Sequence, residues 1–240
     1  MAWTRPLEPA VPVIWHTFRA KDGDDSDGGI VTYHVQDLTE DRYEDMIEHF
    51  LNHFIEEEPM CVSMGIPKDK QARAGLVSLW RSILKEKMTL VCYKEGSDEI
   101  IGANIISVKD DENYFEFEIK NEKQDKLLNI VEYVSKQFNL CEHYGVKHRL
   151  VAYGLSVNKG YRGRGIATEI LKARVPMCKA LEIKLAAHPF SAIGSQKAAS
   201  NAGYFTDYEI TYDDLAKLGP AYTLPGIKSK SFKLMSFPIE

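Results

Sequence analysis

Residues 149–168 combine residue types and spacing that suit the binding of a phosphate or pyrophosphate. An apolar run at 149–157 leads into Arg162-Gly-Arg-Gly165-Ile-Ala167, and a helical pattern follows from Thr168. Backbone N–H groups at a helix start carry partial positive charge and point outward. Gly163 and Gly165 let the main chain approach an anion closely, while Arg162 and Arg164 add full charges beside the amides. A Walker loop needs Gly-Lys-Ser/Thr, which is absent. A dinucleotide fingerprint needs a third glycine where Thr168 stands, and an early place in the chain. Carboxylates cluster at Glu56-Glu57-Glu58-Pro59, where by themselves they read as solvated charges at a helix end. Ser191 and Ser195 open a late helical pattern, where Ser191 suits an N-cap. His49 and His53 have the spacing of a metal half-site but no third ligand. A helix-surface pair is therefore expected, and no metal. His188 follows a strand pattern and reads as a turn histidine or a substrate contact.

Alternating strand and helix patterns must position these groups. Strands are expected at 13–18, 30–36, 89–94, 99–108, 149–157, 183–187, 204–211 and 231–237, and helices from Thr39 and at 69–86, 122–139, 168–181 and 191–202. The stripe Leu127, Val131, Val134 and Phe138 reads as core packing. The loop 22–29 is polar and acidic and is expected to be mobile. This order gives an α/β fold, a mixed central β-sheet flanked by helices. Residues 1–29 form a partly extended N-terminal extension, and 30–240 form one domain.

Composition narrows the function classes. The 240 residues are 44% hydrophobic and 27% charged, enough to bury a real core. A net charge of -5 argues against a general nucleic-acid binder and suits a cationic partner better. No run approaches the roughly 18 apolar residues of a membrane span, and the N-terminus has no apolar signal core. Cys61, Cys92, Cys141 and Cys178 form no C-x-x-C, so reduced thiols in a cytoplasmic protein are expected.

Arg162-Gly-Arg-Gly165-Ile-Ala167 fits Arg/Gln-x-x-Gly-x-Gly/Ala and resembles the coenzyme A pyrophosphate loop of the GCN5-related N-acetyltransferase superfamily. Ser195-Gln-Lys-Ala-Ala-Ser-Asn-Ala-Gly-Tyr-Phe205 is similar to that superfamily's late helix. Glu58-Pro59-Met60 and the pair Ser191 and Ser195 resemble the insect-type arylalkylamine N-acetyltransferases. The resemblance implies the GCN5-related N-acetyltransferase fold, acetyl-CoA as donor and a small primary amine as acceptor. It implies cofactor contacts at Leu155, Ser156 and Val157, and at the loop residues Arg162, Gly163, Arg164, Gly165, Ile166, Ala167 and Thr168. Lys197 is added as a phosphate contact.

The amine must lose a proton before it attacks a thioester, because a free alkylamine resembles lysine in basicity. The resemblance gives Glu58 that role, with Glu56 and Glu57 attracting the cation. Many superfamily members carry a tyrosine four residues before the late glycine, where this chain has Ala199. The resemblance therefore leaves Ser195 to assist the leaving thiolate and Ser191 to position substrate. The expected enzyme is a monomeric acyltransferase with no nucleic-acid or membrane partner. It acts by direct attack in a ternary complex on arylalkylamines such as dopamine, tyramine or serotonin. Acetylation of aliphatic amines or polyamines such as agmatine is the alternative, decided by pocket acidity against aromatic lining. A coenzyme A-binding module without catalysis is the reading from another class.

Overall fold

The computed structural model describes residues 3–22, 29–110 and 121–240. In chain order the elements are β1 (Ile14–Lys21), β2 (Ile30–Asp37), α1 (Tyr43–His53), α2 (Pro59–Ser63), α3 (Lys70–Leu84), β3 (Leu90–Lys94), β4 (Gly102–Lys109) and α4 (Glu122–Ser135). They continue as α5 (Leu140–Tyr144), β5 (Arg149–Val157), α6 (Ile166–Ala180), β6 (Leu185–Phe190), α7 (Ile193–Asn201), β7 (Phe205–Thr211), α8 (Tyr212–Ala216) and β8 (Ser231–Pro238). The strands form one sheet in the order β1-β2-β3-β4-β5-β6-β8-β7.

Helices cover both faces of the sheet, and the period-two alternation of the strands divides the core between them. In β3, Leu90 and Cys92 pack with Ile170, Leu171 and Met177 of α6. Val91 and Tyr93, one residue out of phase, pack with Phe50 of α1 and Leu76, Trp80 and Ile83 of α3. Such doubly covered strands read as continuous apolar runs. Asp69 starts α3 by accepting from the Gln71 and Ala72 N–H groups, each at 3.0 Å. Asn121 caps α4 in the same way, accepting from Gln124 N–H at 2.9 Å.

Several elements differ from expectation. The helix expected over 122–139 ends at Ser135, and beyond it Asn139 caps a separate short helix, α5, by accepting from Glu142 N–H. Thr39 precedes a 3₁₀ turn at Glu40–Arg42 rather than the first helix. The N-terminal residues are tied into the sheet, with β1 pairing antiparallel to β2 along its length. Arg5 and the fully buried Asp37 form a two-pronged ion pair, 2.9 Å in each prong. Asp37 also accepts from Val13 N–H and Trp15 Nε1–H. The loop expected to be mobile at 22–29 lies mostly outside the described residues.

The site depends on the junction of β5 and β6, the sheet's parallel neighbours. They share one paired position, Leu150 with Ala186, and then diverge. On its other edge β5 stays paired with β4, except at a bulge around Tyr153. Gly154 sits at the bulge with φ 153°, and a Cβ there would lie 2.4 Å from Phe50 Cε1. Any larger residue would push against the α1 packing.

Candidate active site

The divergence of β5 and β6 opens a cleft of about 760 Å³. Glu58, Ser191, Ser195, Leu155, Ser156, Val157, Arg162, Gly163, Gly165, Ile166, Ala167, Thr168 and Lys197 all line it. Arg164 is absent from this lining. Its guanidinium lies over the Tyr161 ring at 4.9 Å and donates to Gly160 O at 2.6 Å. Arg164 is thus stacked on Tyr161 and not turned into the cleft.

At one end of the cleft, Gly163 and Gly165 have φ 77° and 79°, which favours glycine strongly. Gly165 occupies the N-cap position of α6, and no side chain caps the first turn. The amides of that turn therefore remain available to an anion. The side chain of Ile166 is buried in the core, and Thr168 Oγ1 donates to Ala198 O at 3.4 Å. These residues can offer backbone rather than side-chain contacts. Arg162 donates from Nε to Val157 O at 3.0 Å and pairs with the Glu57 carboxylate. Lys159 reaches the same carboxylate at 2.7 Å. Burial alone raises a carboxyl pKa, but hydrogen bonds from Lys159 and Arg162 bring that of Glu57 below its usual value.

Midway along the cleft, Ser156 Oγ is buried without a hydrogen-bond partner among the described residues. An orphaned hydroxyl of this kind costs free energy unless a ligand or water satisfies it. The diverging edge of β5 likewise has no β6 ladder beyond Leu150. Glycine cradle, uncapped helix start, orphaned hydroxyl and open strand edge together fit the pyrophosphate and amide-bearing arm of coenzyme A.

At the other end stands Glu58, 8% exposed. It is the N-cap of α2, and its Oε2 accepts from Cys61 N–H at 2.7 Å. Its Oε1 accepts from Ser191 Oγ–H at 2.7 Å, and Tyr212 holds Ser191 from behind by donating to its carbonyl at 2.9 Å. Ser191 is therefore not the helix cap expected of it, since Ala192 holds the N-cap position of α7. Ser195 Oγ donates to Ala192 O at 2.9 Å. Glu56 is exposed, pairs with Arg73 at 3.1 Å and does not line the cleft. Among the described residues Glu58 makes no ion pair, so it is a buried carboxylate facing the cleft without a cation.

The wall beyond Glu58 is apolar, with Phe54, Leu76, Leu79, Trp80, Leu127, Leu128, Val131 and Phe232. Sequence reading missed Phe54 and Trp80 because a helical apolar stripe looks the same whether it faces core or cleft. Leu127 and Val131 pack against the core with Val134 and Phe138, as their stripe predicts, and line the cleft as well. Of the aromatic residues Tyr33, Tyr93, Phe190 and Tyr204, Phe190 lines the cleft and the other three do not.

The histidine pair also differs from expectation, because His49 is 6% exposed rather than on the surface. Burial first, and His53 next, push its pKa down to about 4. Among the described residues there is no group of three or more His, Cys, Asp or Glu that could hold a metal ion. Among them, too, no helix is long and apolar enough to cross a membrane.

No protein-family model matches the chain, and no curated protein matches it. Solved structures do. Arylalkylamine N-acetyltransferase 7 of the yellow fever mosquito Aedes aegypti is 42% identical, with 99% of this chain and 100% of that chain covered and a TM-score of 0.95. Arylalkylamine N-acetyltransferase 2 of Aedes aegypti is 21% identical over 87% of this chain and 99% of its own, with a TM-score of 0.77. A Drosophila melanogaster polyamine N-acetyltransferase, an enzyme that forms N-acetylagmatine, is 19% identical over 86% of this chain and 100% of its own, at 0.71. The last two share the fold. With its full-length identity to the first, this chain belongs to the insect arylalkylamine N-acetyltransferase family of the GCN5-related N-acetyltransferase superfamily.

Proposed function

We propose that this protein transfers the acetyl group of acetyl-CoA to a small primary arylalkylamine by direct attack in a ternary complex. The observation that carries this reading is Glu58. A buried carboxylate with no cation stands where the coenzyme-sized half of the cleft meets an apolar pocket. An ammonium group satisfies that charge, and an aromatic body fills the pocket beyond it.

In this reading Glu58 takes a proton from the ammonium, directly or through water. Its free lone pairs allow this although each oxygen already accepts one hydrogen bond. The neutral nitrogen attacks the thioester carbonyl carbon. A C–N bond forms, the C–S bond breaks, coenzyme A leaves as thiolate and the second proton on nitrogen passes to solvent water. Backbone amides on the open β5 edge face the carbonyl oxygen as charge develops there. Ser191 orients Glu58, and Ser195 assists the thiolate after its hydroxyl turns from Ala192 O. Gly163, Gly165, Ala167 and their neighbours hold the pyrophosphate through backbone. Lys197, exposed at the rim, meets a phosphate. All four cysteines are free, which supports work in the reducing cytoplasm.

Lining chemistry favours arylalkylamines over polyamines. Glu57 and Glu58 are the carboxylates of the cleft, and Glu57 is already neutralised by Arg162 and Lys159. A polyamine or agmatine needs a second acid at the far end, where Trp80, Leu79 and Leu127 stand. Thiol release measured across tyramine, dopamine, tryptamine, agmatine and putrescine tests this. Higher kcat/KM for the aromatic amines is expected. Preference for agmatine or putrescine overturns the substrate class, and absence of turnover with every amine leaves the coenzyme-binding module.

A further inference from the structure

Behind the reacting end of the cleft lies a buried guanidinium that has no carboxylate partner among the described residues. Arg174 of α6 is 0% exposed. Its Nε and one terminal nitrogen donate to Asn104 Oδ1 at 2.9 and 2.7 Å. The other terminal nitrogen donates to Tyr204 OH at 3.1 Å and to His188 Nδ1 at 3.4 Å. All of these acceptors are neutral, so the positive charge is solvated but not cancelled. Removing an unpaired guanidinium from water is costly, and a fold that retains one has a field to use.

This network joins the two strands that part to make the cleft. Asn104 Nδ2 donates to Gly154 O at the β5 bulge, at 2.7 Å. His188 lies on β6, lines the cleft and precedes Ser191 by three residues. From the paired position of Leu150 and Ala186, two steps along parallel strands bring Ala152 and His188 to the same level, where the strands begin to diverge. The pyrophosphate end lies beyond Val157, at the opposite extreme of β5.

Arginine only donates, so the 3.4 Å contact requires a bare Nδ1 and leaves the proton of the neutral ring on Nε2. Burial, then Arg174 and then Arg149, whose guanidinium donates to Ala187 O, hold the pKa of His188 well below its usual value. The other groups packed against this site are Tyr204 and Cys178, whose pKa values burial raises. His188 is therefore a donor toward the cleft and not a base.

Resting on the acyl-transfer reading, we propose that His188 Nε2–H donates a hydrogen bond to the thioester sulfur as it becomes a thiolate, and that Arg174 is the positioning residue that fixes this tautomer and adds its field. No proton is transferred: the imidazole stays neutral throughout. This adds a preformed donor on the sulfur side, where Ala199 carries no polar group and the Ser195 hydroxyl must first turn from Ala192 O.

Two replacements separate this role from a packing role. His188→Asn places an amide near Nδ1 and preserves the contact with Arg174, whereas His188→Gln extends a donor toward the place of Nε2. If His188 serves sulfur, the Gln variant keeps at least tenfold more kcat than the Asn variant. The Asn variant falls roughly 10²-fold below wild type, the range for losing one donor to developing charge. Acetyl-CoA Kd by calorimetry stays within about twofold in both folded variants. Equal kcat in the two, or a better Asn variant, overturns the proposal. Nitrogen-15 NMR of the wild-type chain, with His188→Gln for assignment, is expected to show a neutral Nε2–H ring through pH 5–8 whose signal moves on adding coenzyme A. A ring protonated on Nδ1, or titrating near 6.5, overturns it as well. The NMR result needs no turnover, so failure of the whole acetyltransferase reading, seen as no thiol release by wild type, is distinguishable from failure at His188.

Discussion

At the residue scale the site turns on how each buried ionisable group is compensated. Glu58 caps a short helix and accepts from Ser191, so its geometry survives replacement by an amide while its charge does not. Glu58→Gln is expected to lower kcat/KM by on the order of 10²–10⁴, with acetyl-CoA affinity nearly unchanged by calorimetry. A rise in KM with kcat intact would instead assign Glu58 to attracting the cation alone. His49 gives a pH prediction. Its folded pKa of about 4 lies below the ordinary value of 6.5, so the unfolded chain binds more protons between those values. Its contribution is complete above pH 6.5 and is lost as pH falls toward 4. Urea unfolding from pH 7 to 4.5 should therefore show a His49→Gln variant whose stability falls less than that of wild type, by on the order of 2–3 kcal/mol. Equal slopes in the two proteins would mean that His49 ionises freely in the fold.

At the scale of elements, function rests on one failed pairing and one uncapped helix. β5 and β6 part after Leu150 and Ala186, and α6 begins at Gly165 without a side-chain cap. Gly165 has φ 79°, so Gly165→Val strains the turn and sets a branched side chain against the approaching phosphate. At least tenfold weaker acetyl-CoA binding is expected by calorimetry, with amine KM less affected. Unchanged affinity in the folded variant would remove the coenzyme from this loop. Arg162 calls for a different reading from the one its sequence position suggests. It is held by Val157 O and Glu57, so it shapes the loop before any ligand arrives.

At the scale of the whole molecule, the N-terminal residues close one edge of the sheet. Asp37 gathers Arg5, Val13 N–H and Trp15 Nε1–H into one buried cluster, and β1 follows directly. Asp37→Ala leaves Arg5 buried and unpaired, which costs about 3–5 kcal/mol. Chemical denaturation should show that loss, with kcat/KM retained at temperatures where the variant stays folded, because β1 and Asp37 are not part of the cleft. A selective loss of turnover in a fully folded variant would tie this edge to the site.

Sequence alone determined the order of the eight strands and the longer helices, though not the short helices α2, α5 and α8, together with the glycine turn and the residue types at Glu58, Ser191 and Ser195, because periodicity, turn chemistry and motif spacing are local. It could not distinguish the helix faces. Leu127 and Val131 pack against the core as their stripe predicts, and only the parting of β5 from β6 makes these two residues a cleft wall as well. Partnership was equally hidden. Glu57 lies beside Glu58, yet it alone meets Arg162 and Lys159, from a loop about a hundred residues away. Arg174 and His188 carry no motif at all. Their meeting is produced by packing α6 across β4 and β6, and whether a charge is cancelled, solvated or left facing a ligand depends on three-dimensional neighbours that no local pattern encodes.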